Sequence, residues 1–141
     1  MKKLIIASAL IVSTALVGCA GTGGKKDFSQ SVYLRGSFAW WDALPEYKLQ
    51  KVGPDHYMAK VELKADGQPW EFKFGDAGWT GGTNCGYLTE EDKVVEVGKT
   101  VKANCSSIFE NFRFTPTESA MYEMHLDNSG EVPLVSVKKA Q

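Results

Sequence analysis

Apolar and polar residues alternate with period two from Ser31 onward, the spacing that sends successive side chains to opposite faces of a strand. In residues 31–38, Val32, Leu34 and Phe38 share one face while Tyr33 and Arg35 take the other. In residues 57–63, Tyr57, Ala59, Val61 and Leu63 oppose Met58, Lys60 and Glu62. Trp70, Phe72 and Phe74 alternate with Glu71 and Lys73, and Phe112 and Phe114 flank Arg113. Tyr122, Met124 and Leu126 then alternate with Glu123 and His125, and Val135 and Val137 close the pattern.

Turn-forming residues separate these runs: Gly53-Pro54-Asp55, Ala65-Asp66-Gly67, Gly81-Gly82 and Asp127-Asn128-Ser129-Gly130. No segment sustains a helical period, and residues 89–92 suit a single acidic turn. The expectation is an all-β domain of antiparallel strands in two sheets, each burying its apolar face against the other. Trp70, Phe72, Phe74, Phe112, Phe114 and Tyr122 are its predicted aromatic core, each burying on the order of 150–250 Å².

Residues 1–30 do not share this pattern. Lys2 and Lys3 precede an apolar run from Leu4 to Val17 that is shorter than the roughly 20 residues a bilayer span needs. The run suits a secretory signal. It ends in Leu16-Val17-Gly18-Cys19, which resembles the bacterial lipobox and implies cleavage before a lipidated Cys19. The expected organisation is therefore a signal peptide over 1–18, a Gly- and Lys-rich lipidated tether over 19–30, and one domain over 31–141. Two or more acyl chains hold a protein stably to a membrane. Ala20 after the cysteine resembles the residue choice that sends such proteins to the outer membrane.

With Cys19 assigned to lipid, Cys85 and Cys105 remain as one possible pair. An oxidising periplasm favours their disulfide, which is worth about 3 kcal/mol on a chain-entropy view. They lack C-x-x-C spacing, and the two histidines, His56 and His125, show no ligand pattern with them. No metal or cofactor is therefore expected. A net charge of −1, with no basic cluster interleaved with aromatics, gives no footprint for nucleic acid. No nucleophile–base grouping or phosphate-binding glycine motif is present, so the expected protein is not an enzyme.

Three tryptophans do not sit naturally on strand faces. Trp40 and Trp41 follow the first strand, and Trp79 lies in the glycine-rich stretch Gly75-Asp76-Ala77-Gly78-Trp79-Thr80-Gly81-Gly82. Such rings suit a ligand site with apolar walls and a few placed polar groups, uncovered at one end of the sandwich. The stretch Val32-Tyr33-Leu34-Arg35-Gly36-Ser37-Phe38-Ala39-Trp40-Trp41-Asp42, the run Trp70-Glu71-Phe72-Lys73-Phe74-Gly75-Asp76-Ala77-Gly78-Trp79 and the tail from Asn111 to Asp127 together resemble a known family. This is the glycogen- and starch-binding modules of pullulanases, branching enzymes and the β subunit of AMP-activated kinase. The resemblance implies an early-set immunoglobulin-like β-sandwich with Trp41 and Trp79 as exposed stacking residues, Trp41 being the exposed member of its pair. It also implies that Lys73 contacts hydroxyls and that Asn84 is the late asparagine of the site. Ala39-Trp40 stands where the family has Asn or Gly, and the cysteine pair is a second departure. The implied partner is an α-glucan. The alternative is an envelope lipoprotein that keeps the sandwich, has no sugar binding and holds a protein partner.

Overall fold

The structure is a computed structural model that describes residues 25–141. The signal peptide, Cys19 and the first half of the expected tether lie outside the described residues. Ten strands form: β1 (Val32–Gly36), β2 (Gln50–Gly53), β3 (His56–Leu63), β4 (Trp70–Asp76), β5 (Gly86–Tyr87), β6 (Val94–Val95), β7 (Thr100–Asn104), β8 (Phe112–Phe114), β9 (Ala120–Asp127) and β10 (Leu134–Lys139). One sheet runs β1-β4-β8-β6 and the other β2-β3-β9-β10-β7-β5. The all-β sandwich expected from the alternation is the observed architecture.

The apolar faces meet as the parity requires. Phe72, Phe74, Phe112 and Phe114 from the smaller sheet are buried against Tyr57, Val61, Tyr122, Met124 and Leu126 from the larger. Phe72 stacks on Phe112 at 5.3 Å between ring centres, and Phe114 meets Tyr122 edge-on across the layers at 5.0 Å. The longest pairing, β3 with β9, keeps register from His56↔Asp127 to Leu63↔Ala120. The acidic segment at 89–92 makes one 3-10 turn, Glu90–Asp92, capped reciprocally by Thr89 and Asp92. Among the described residues no helix is long and apolar enough to cross a membrane.

Four particulars differ from the sequence expectation. Trp70 is half-buried at the rim of the core, because its indole N–H is held outward on the Lys64 carbonyl at 3.0 Å. Phe38 leaves the strand for a 3-10 turn (Ser37–Ala39) and packs edge-on against Tyr47 at 5.4 Å. Phe28, assigned to the tether, is only 3% exposed and lies 5.6 Å from the Tyr57 ring, so core packing begins before residue 31. Arg35 and Lys73 hold their outward-facing parity yet are buried, since loops fold over that outer face.

Candidate functional site

The register of β1 on β4 pairs Val32 with Asp76 and Gly36 with Phe72. The loop carrying Trp40 and Trp41 therefore leaves one end of the pair, and the loop carrying Trp79 leaves the other. Both fold back across the outer face of the smaller sheet. The site thus lies on a flank of the sandwich, where the sequence had suggested an end.

Trp40, Trp41 and Trp79 all occupy the left-handed backbone region, with φ of 53°, 63° and 55°. That region is disfavoured for a bulky side chain, and it persists only where surrounding contacts hold it. Trp41 is held by its N–H donating to the Gly36 carbonyl at 2.9 Å, and Asp42 N–H donates to Ala39 at 3.0 Å. This tight turn folds Trp41 onto the sheet, half-buried, and leaves Trp40 at 89% exposed, the reverse of the exposure expected for the pair. In the second loop the Asp76 carboxylate accepts the Thr80 N–H at 2.7 Å, and Trp79 N–H donates to the Asp76 carbonyl at 3.3 Å. Burial pushes the Asp76 carboxyl up, but hydrogen bonds from Thr80 and Thr83 outweigh it and hold the group below its usual value.

Trp79 lies flat over Gly75. A Cβ at Gly75 would come within 2.9 Å of two ring carbons, so the ring's resting place needs a glycine beneath it. The Arg35 guanidinium carbon lies 3.5 Å from the ring centre and Lys73 Nζ 5.8 Å from it.

Opposite the tryptophans stands a wall built from residues 105–111. The Cys85–Cys105 disulfide ties its base to the segment before β5. Ser107 donates to the Asn84 carbonyl through its N–H at 3.1 Å and its hydroxyl at 3.0 Å. The Glu110 carboxylate accepts the N–H groups of Ile108 and Phe109 at 2.7 and 2.9 Å, which together with nearby Lys73 lower its pKa. Lys73 Nζ donates to the Ile108 carbonyl at 3.2 Å; burial lowers its pKa and Glu110 opposes that shift.

Between the loops lies an open groove of about 610 Å³, lined by Trp41, Lys73, Trp79, Gly81, Asn84, Ser106, Ser107, Ile108, Phe109 and Asn111. All four residues named from the sequence, Trp41, Lys73, Trp79 and Asn84, line this one groove, while Trp40 does not. Lys73 is 2% exposed and keeps donor hydrogens beyond its single carbonyl bond. Asn84 is 4% exposed, and its side-chain oxygen has no hydrogen-bond partner among the described residues. The groove thus presents two indole surfaces and a cationic donor, and the unpaired Asn84 oxygen lies buried behind its lining. Its lining contains no carboxylate or histidine. Among the described residues no group of three or more His, Cys, Asp or Glu is placed to hold a metal ion.

No alternation or resemblance in the sequence marks the wall from Ser106 to Glu110. An available signal was the apolar pair Ile108-Phe109, which falls outside the alternation and is well exposed. The alternation gives Arg35 no role beyond a place on a strand face.

A solved starch-binding domain shares this fold. The ligand-induced structure of AmyP-SBD superposes with a TM-score of 0.58 and 18% identity, covering 99% of this chain and 97% of that one. At this identity the likeness is one of fold. No family model matches the sequence, and no curated protein does.

Proposed function

We propose that this chain is a non-catalytic, lipid-anchored envelope protein that binds an α-glucan in the groove between Trp41 and Trp79. The observation that carries the reading is the convergence of Trp41, Lys73, Trp79 and Asn84 on one groove, although the two tryptophan loops leave opposite ends of the β1–β4 pair. A pyranose offers an apolar C–H face to an indole ring and hydroxyls at its edge. Lys73 supplies a donor to such a hydroxyl. The likeness to a starch-binding domain supports the same class of ligand. Anchoring follows from the lipobox-like sequence at Cys19, and the outer membrane from Ala20.

Native gels containing glycogen or soluble starch test the binding. The processed chain is expected to be retarded, and the double change Trp41→Ala, Trp79→Ala to run free. Equal mobility with and without polysaccharide would end the reading. Incorporation of labelled palmitate, lost on Cys19→Ala, tests the anchor.

A second reading has its own support in the near-complete exposure of Trp40, an apolar ring outside the groove lining. On that reading the loops hold an envelope protein. Cross-linking in cells should then capture one partner, lost on Trp40→Ala, whether or not glycan binds.

A further inference from the structure

We infer that Arg35 is the positioning residue that fixes the two tryptophan platforms relative to one another; this rests on the glycan-binding reading above. Arg35 projects from the outer face of β1 between the two loops and is 6% exposed. Its Nε donates to the Trp41 carbonyl at 2.7 Å, so it holds the first loop by the backbone of its stacking residue. Its Nη1 donates to the carbonyls of Asp76 at 2.7 Å and Ala77 at 3.4 Å, the residues that lead into the second loop. The same planar group lies 3.5 Å from the centre of the Trp79 ring. One side chain therefore touches the main chain of one platform and the ring of the other.

Three features make this contact one of position. Trp41 and Trp79 both sit in the left-handed region, from which an untethered loop would relax. Among the described residues Arg35 forms no ion pair, so its donors are directed to loop carbonyls. Only a guanidinium combines a fork of donors with a flat surface for stacking. A lysine keeps the charge but can neither span both carbonyl sets nor lie flat against the indole. Arg35 is also the β1 register partner of Lys73, which places the organiser beside the polar contact residue.

The test compares the processed wild-type chain with Arg35→Lys and Arg35→Gln. Without ligand, indole N–H heteronuclear relaxation reports each of the four tryptophans. Trp41 and Trp79 are expected to become mobile in both variants while Trp70, at the core rim, stays rigid. In gels of graded glycogen content the apparent dissociation constant should rise roughly tenfold for Arg35→Lys, as expected from losing charge-assisted bonds that order the site. Should Arg35→Lys not fold, Arg35→Gln, which buries no charge, carries the comparison. Unchanged order at Trp41 and Trp79 would overturn the inference, as would loosening shared equally by Trp70. Tryptophans that loosen in the variants, when the wild-type chain itself shows no retardation, would leave the positioning role standing and remove the glycan reading instead.

Discussion

At the residue scale, the groove depends on small groups as much as on its tryptophans. Trp79 can lie over β4 because Gly75 has no side chain there, and a single methyl group would meet two ring carbons at 2.9 Å. Gly75→Ala is therefore expected to lift the ring from the sheet. The outward-facing methyl leaves the core intact, so stability should fall by only about 1 kcal/mol. Retention by glycogen should weaken roughly tenfold, as for the loss of one placed contact. Affinity gels beside thermal melts separate the two effects, and a variant with wild-type retention would show that the ring's seat does not matter. Trp41, Lys73, Trp79 and Asn84 were legible because the chain resembles a family at those positions. The reversed exposure of Trp40 and Trp41 was not, since it follows from two successive left-handed residues that no alternation encodes.

Element by element, legibility followed length and contrast. The strands β3, β4, β8 and β9 alternate strongly, and their inward residues other than Trp70 and Ala120 are buried, although the outward Met58, Lys73 and His125 are buried as well. The strands β2, β5 and β6 are two to four residues long, too short for a period to show. In β7 the inward residues are only Val101 and Ala103. The wall over residues 105–111 was illegible for another reason: its position comes from a covalent bridge, two side-chain caps and Lys73, none of which has periodicity. The Cys85–Cys105 bridge spans 20 residues, and opening it should cost about 3 kcal/mol. Since its second cysteine begins the wall, Cys85→Ser, Cys105→Ser is also expected to weaken glycan retention well below the unfolding temperature. Denaturant melts and gels at room temperature check this, and retention unchanged in the double variant would mean the wall stands without its bridge.

The whole molecule carries a pH dependence on the face away from the groove. His125, on β9, is buried. Its Nδ1 meets His56 Nε2 at 2.9 Å, and its Nε2 lies 2.9 Å from the Glu123 carboxylate. Burial lowers its pKa from the ordinary 6.5; Lys138 on β10 and His56 on β3 add to this, while Glu123 opposes it. The unfolded chain then takes up the proton first as the pH falls, so this stabilisation is present above about 6.5 and is lost progressively below it. Urea midpoints at about pH 7.5 and about pH 5 should differ, and His125→Gln should reduce the difference. An undiminished difference in that variant would assign the acid sensitivity to other groups.

Phe28 bears on where such a domain can work. Because that ring is seated against Tyr57, the packed body begins no later than residue 28. Were lipid on Cys19, as proposed, at most residues 19–27 would separate it from that body, and nine residues reach only roughly 30 Å at full stretch. A body moored so closely would sweep a thin layer beside the bilayer, and any polymer it caught would be kept at the membrane surface.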